Sequence, residues 1–130
     1  MTRELVERYF AAVNSRDWAG LAELLHPDVS VRHMSLLSAD GVPAVVTLYR
    51  AILEQYREGQ HEDRPTRILV AGDVAAVEIS AAVVKKDGTP LSFPAADIIE
   101  FEDGLIRTVR TFYDTAVVVP LITGGEAVRR

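Results

Sequence analysis

Four long runs rich in Val, Ile and Ala fill the second half of this chain, and a two-residue turn signal divides each from the next. The runs are Thr66–Ala71, Val74–Lys85, Leu91–Glu102 and Leu105–Tyr113, separated by Gly72-Asp73, Asp87-Gly88 and Asp103-Gly104. Branched side chains suit a pleated surface, and such short turns join antiparallel neighbours. The pattern predicts a meander whose long strands twist and curve. Pro94 inside the third run predicts an edge or a bulge, because proline has no N–H for a ladder. Val117–Ile122 predicts one further short strand, and Gly124–Arg130 a frayed tail.

The first half follows a different period. Leu5, Val6, Tyr9, Phe10 and Val13 recur at helical spacing. Asp17 is a good N-cap for a second, short helix that buries Trp18, Leu21, Leu24 and Leu25, with Pro27 as its stop. Val29–Met34 alternates like a short strand, and Leu37–Gly41 reads as a loop. Pro43 opens a third helix with Val45, Leu48, Tyr49, Ile52, Leu53 and Tyr56 on one stripe, ended by Gly59. Gln60–Pro65 reads as a polar connection. Helices followed by a meander give the α+β class, with helices packed on one face of a curved, mainly antiparallel sheet. The expected shape is a cone around an apolar pocket. The 130 residues suit a single domain, with its core at about 5–118 and a tail at 119–130. Leu105–Tyr113 has no wholly polar face, so burial of the outer sheet face in a two-fold homodimer is expected.

Composition narrows the function. The net charge is −5 with Lys and Arg scattered, which argues against a nucleic-acid partner. No cysteine is present, so disulfides, thiol catalysis and cysteine metal sites are excluded. The charged, amphipathic N-terminus lacks the apolar core of a signal peptide, and no run reaches membrane-spanning length. A cytoplasmic location without membrane attachment is the expectation. His26, His33 and His61 lack metal-ligand spacing, and there is no glycine-rich phosphate loop. Neither a metal nor a cofactor is expected.

Asp97 stands out against this background. It interrupts the strand pattern Phe93-Pro94-Ala95-Ala96-Asp97-Ile98-Ile99-Glu100-Phe101 and shares a face with Ala95, Ile99 and Phe101. An ionised carboxylate on an apolar face is costly, and the usual escape is a raised pKa. A neutral acid near pH 7 can donate a hydrogen bond or a proton. The alternative is an Asp97 that bonds a backbone amide or reaches solvent. Tyr9 and His33 also fall on apolar faces, and each has an alternative as a satisfied core side chain.

Val6–Trp18, Leu24–Val31 and Ala96–Asp114 carry a resemblance to the nuclear transport factor 2-like superfamily, in its SnoaL-like and ketosteroid isomerase-like branch. The resemblance implies the cone-shaped fold. Tyr9 resembles that branch's oxyanion-hole tyrosine, His33 stands where its general-base aspartate falls, and Asp97 resembles its neutral aspartic acid. Tyr113 falls on an aromatic wall position; Phe93, Ile99 and Phe101 are expected beside it as ligand-binding residues. The set implies an isomerase- or cyclase-like acid–base enzyme for a small hydrophobic carbonyl compound, with His33 as the proton acceptor. The other reading is a non-catalytic ligand-binding or dimeric accessory protein. True steroid isomerisation is not expected, because histidine replaces the base carboxylate. Epoxide hydrolysis is not expected either, because Thr111 stands where that branch needs a second aspartate.

Overall fold

The meander forms the body of a single six-stranded sheet. The computed structural model describes residues 2–123. Along the chain run α1 (Thr2–Asn14), α2 (Trp18–Leu24), β1 (Leu25–His33), β2 (Leu37–Asp40), α3 (Val42–Leu53), β3 (Tyr56–Ala71), β4 (Val74–Lys85), β5 (Pro90–Glu102), β6 (Leu105–Tyr113) and α4 (Thr115–Thr123). The strand order is β2-β1-β6-β5-β4-β3. β1 and β6 are parallel, and the other neighbours are antiparallel. The sheet is curved and open, and the α+β class read from the sequence holds. At the β5–β6 turn both Asp103 and Gly104 have positive φ, 54° and 72°, the geometry that matches the twist of a two-residue hairpin.

The helices cover the concave face. α1 packs on β3 and β4, while α3 packs on β1 and β2. Asp17 caps α2 by accepting from the Gly20 amide at 2.9 Å, and a proline opens α3, as their sequences predict. Val6 of α1, Leu21 of α2, Val45 of α3, Val77 of β4, Ile99 of β5 and Val109 of β6 are fully or almost fully buried in one core. Those sheet residues sit on the inner face because side chains alternate along a strand. No helix among the described residues is long and apolar enough to cross a membrane.

The structure corrects the sequence reading in several places. α2 ends at Leu24 rather than at Pro27, which lies within β1. Leu37–Asp40 is the edge strand β2, paired with β1, and not a loop. α3 ends at Leu53, six residues before Gly59, and Tyr56–Ala71 is one long strand. The Gln60–Pro65 segment is therefore sheet, with His61, Asp63 and Pro65 turned partly inward. Its polarity reflects an edge position, where charges discourage pairing with another chain. Val117–Ile122 belongs to helix α4, not a strand. The Asp114 carboxyl accepts from the Ala116 amide, its carbonyl accepts from Val117 and Val118, and Val118 and Leu121 are buried. Capping and burial override the strand preference of a valine run. Pro94 lies one residue beyond Ala95–Tyr113, the last β5–β6 pair at that end, so β5 is locally an edge there. The Gly124–Arg130 tail lies outside the described residues.

Candidate functional site

Register alone brings three polar side chains into a row. His33 pairs with Thr111 across β1–β6, and Thr111 pairs with Asp97 across β6–β5. Directly paired residues share a face, with Cβ atoms about 5 Å apart. The Thr111 hydroxyl donates to Oδ1 of Asp97 at 2.6 Å, and the ring Nδ1 of His33 lies 3.2 Å from the Tyr113 hydroxyl. Above this row, Tyr9 of α1 and Tyr49 of α3 meet hydroxyl to hydroxyl at 2.5 Å. One of those two protons is used in the shared bond; the other is free for a third acceptor.

These groups surround one cavity. It offers about 90 Å³ to the centres of water-sized spheres, several times the roughly 10–15 Å³ that one water needs. Ile79, Ala81, Val83, Phe93 and Ala95 line its sheet side, Val13, Ile52 and Leu53 its helical side, and Val118 of α4 its end. The wall is thus mainly apolar, with a few convergent polar groups, the make-up of a small-molecule site.

Burial sets the electrostatics. Asp97 is 4% exposed. Desolvation pushes its carboxyl up to about 7 against the opposing pull of the Thr111 hydrogen bond, and the Asp63 charge adds to the rise. Burial drives the His33 ring down to about 4, so it is neutral and weakly basic at pH 7. Burial raises both Tyr9 and Tyr49, with the charge of Asp97 pushing in the same direction. Burial lifts Tyr56 and Tyr113 to about 12 each. The hydroxyls therefore stay protonated as donors, and Asp97 alone is carried to a value near neutrality.

Of the residues singled out in the sequence, Tyr9, His33, Phe93, Asp97 and Tyr113 line this cavity. Ile99 and Phe101 do not. They share the face of Asp97 as expected, but join the packed core with Val6 and Phe10. The face continues from cavity wall into solid core along β5, and the cavity lies on the Phe93 side of Asp97. The structure adds groups the sequence reading passed over. Thr111, read in the sequence only as a missing aspartate, is one, and Tyr49 of the apolar α3 stripe is another. His61 and Asp63 also line the cavity, with His61 Nε2 3.2 Å from Asp63 Oδ2. Asn14 holds the Asp63 backbone by two bonds, donating to its carbonyl at 2.9 Å and accepting from its amide at 2.8 Å. The inward alternation of His61, Asp63 and Pro65 is the signal that locates them. His26 is not part of the cavity lining; it pairs with Glu102 at 3.1 Å beside Asp103.

Comparison with known proteins agrees with this fold. The family model of the SnoaL-like domain matches residues 6–109. A nuclear transport factor 2-like protein of Burkholderia pseudomallei superposes with a TM-score of 0.83 at 22% identity, over 94% of this chain and 97% of its own. A protein of Jannaschia sp. CCS1, named as a candidate SnoaL-like polyketide cyclase, gives 0.83 at 18% identity, over 96% and 93%. An epoxide hydrolase of M. tuberculosis gives 0.77 at 19%, over 95% and 90%. At such identities the likeness speaks for fold, and this fold carries many chemistries. No curated protein matches the chain.

Proposed function

Because the chain belongs to the SnoaL-like domain family, we propose that it is a small acid–base enzyme, isomerase- or cyclase-like, acting on a hydrophobic carbonyl compound. One observation carries the reading: a buried carboxyl, raised to about 7, shares an apolar cavity with a coupled pair of tyrosines. Asp97 in its neutral form gives a proton or hydrogen bond to the carbonyl oxygen. Thr111 occupies Oδ1, which leaves Oδ2 to carry that proton. The Tyr9–Tyr49 pair supplies the second donor. Donors fixed in a dry site contribute about 3 kcal/mol each to a developing oxyanion. His33, neutral and bonded to Tyr113, acts here as an orienting hydrogen-bond group, since a ring with a pKa of about 4 is a poor proton acceptor at pH 7.

Epoxide hydrolysis fits less well despite the M. tuberculosis neighbour. Thr111 stands beside Asp97 and contributes a hydroxyl, not the second carboxylate that the resemblance requires. A second reading is a non-catalytic binder of a small apolar molecule. The observation favouring it is that Tyr9, His33 and Asp97 each already have a hydrogen-bond partner within the protein.

Exchange of the α-protons of 2-tetralone into D2O, followed by proton NMR, separates the two. Asp97→Asn keeps the shape and the acceptor for Thr111 but cannot transfer a proton. The variant is expected to lose about 100-fold or more of the protein-dependent exchange while still folding. Exchange at the wild-type rate rejects the role of Asp97.

The proposal extends to a homodimer through the outer sheet face. Phe112 is 45% exposed there, next to Ala96, with Ile98 beside Arg110 in the adjoining row. Sedimentation should give a dimer for the native chain and a monomer for Phe112→Glu; a monomeric native chain rejects it.

A further inference from the structure

Among the described residues, His61 is the one whose buried side-chain polar atoms are left without a complete set of partners. Its side chain is 6% exposed, and its Nδ1 has no hydrogen-bond partner among the described residues. Buried polar atoms are nearly always paired, so such an atom calls for an explanation. The other ring nitrogen faces Asp63 at 3.2 Å. An ionised carboxylate only accepts, so Nε2 must carry the hydrogen. In a neutral ring that leaves the lone pair on Nδ1. The ring is held in this orientation twice over. It stacks on Tyr56 with centroids 5.8 Å apart and planes 4° from parallel, and the backbone of Asp63 is clamped by Asn14. A side chain locked this way, on a residue that lines the cavity and with one ring acceptor unused, is preorganised for a proton.

We propose that His61, oriented by Asp63, is the proton acceptor of this cavity and takes the α-proton of an apolar ketone. The inference rests on the acid–base reading above and supplies the base that His33 does not. The α C–H bond breaks, and its proton goes to Nδ1 to give an imidazolium beside the Asp63 carboxylate. The electron pair forms the C=C bond while the carbonyl oxygen becomes the enolate oxygen, bound by Asp97 and the tyrosine pair. Return of the proton from Nδ1, to the same carbon or a conjugated one, restores the ring. Asp63 is a positioning residue in this scheme. Asp63 and Tyr56 on β3 touch the ring, and the other titratable groups lining the cavity with it are Tyr9 on α1, Tyr49 on α3, Asp97 on β5, His33 on β1 and Tyr113 on β6.

Two measurements decide it. In 2-tetralone exchange, His61→Gln and His61→Phe (which keeps the stack on Tyr56) are each expected to lose about 100-fold. Exchange at the wild-type rate in either folded variant overturns the proposal. In nitrogen-15 NMR of the ring, Nδ1 is expected unprotonated and Nε2 protonated at pH 8, with Nδ1 shifting when 2-naphthol is added as a hydrogen-bond donor. Asp63→Asn should leave the fold intact and mix the two tautomers, which a merely structural Asp63 would not do. A protonated Nδ1, or one silent to 2-naphthol, overturns the proposal even if no exchange is seen. A wild-type protein without exchange but with a responsive Nδ1 overturns the proton transfer together with the enzymatic reading and leaves His61 as a hydrogen-bond acceptor for a bound ligand.

Discussion

The two walls of the cavity are built from opposite kinds of strand. Asp97 sits on β5, a central strand whose inner face is otherwise apolar. His61 and Asp63 sit on β3, which pairs only with β4 and is polar along much of its length. On β5 the surroundings exclude water and hold a carboxyl near neutrality. On β3 the surroundings admit charge, and Asp63 adds to the burial-driven rise of Asp97, Tyr9 and Tyr49 on other elements and of Tyr56 on its own strand. One wall is suited to giving a proton and the other to receiving one. The site works as a contrast between them.

That contrast can be broken first through stability and pH. Asp97 is protonated in the fold below about 7, whereas an ordinary unfolded carboxyl titrates near 3.8. The unfolded chain therefore binds fewer protons at this site between those values, and the contribution of Asp97 to stability falls as pH rises through the window. At 1.36 kcal/mol per unit, the full penalty reaches about 4 kcal/mol above pH 7. Between pH 4 and 9 the urea midpoint of the native chain should fall relative to that of Asp97→Asn, whereas His33, neutral in the fold down to about 4, adds an opposite rise to both chains as pH climbs toward 6.5. Equal slopes would erase the proposed difference between the walls.

Core truncation tests the same contrast through packing. Ile99→Ala on β5 empties a fully buried site and should cost about 3 kcal/mol. Ile68→Ala on β3 is expected to cost about 1 kcal/mol, because that side chain is only partly buried. Similar losses would mean that the edge strand is packed as tightly as the centre. An equally small effect belongs to the His33–Tyr113 contact. Tyr113→Phe removes a part-buried hydrogen bond and should cost about 1 kcal/mol in thermal or urea unfolding. The His33 ring should not titrate between pH 5 and 8 in either protein, and a midpoint inside that range in proton NMR of the ring would contradict its desolvation.

The same contrast explains what could be read in the sequence. β4 and β6 begin and end where the turn signals place them, because apolar runs bounded by Gly and Asp leave little freedom. Asp97 is visible as an acid among Ala, Ile and Phe. His61 and Asp63 are hidden, because a polar edge strand has the composition of a loop and its alternation shows only once β4 is beside it. Tyr49 lies on an apolar helical stripe, and nothing in that stripe tells a cavity wall from a core. Ile99 and Phe101 illustrate the reverse: they share a face with Asp97, but a face does not say where packing stops and open space begins. α4 is misread as a strand because the capping by Asp114 and the burial of Val118 and Leu121 outweigh local preference.

Carbon-13 NMR of the Asp97 carboxyl, assigned by its loss in Asp97→Asn, tests the account most directly. A midpoint near 7 is the predicted result, with the Thr111 hydroxyl still bonded to Oδ1. A midpoint near 4, the ordinary aspartate range, would mean that the cavity does not hold this group neutral, and the acid–base account would fall.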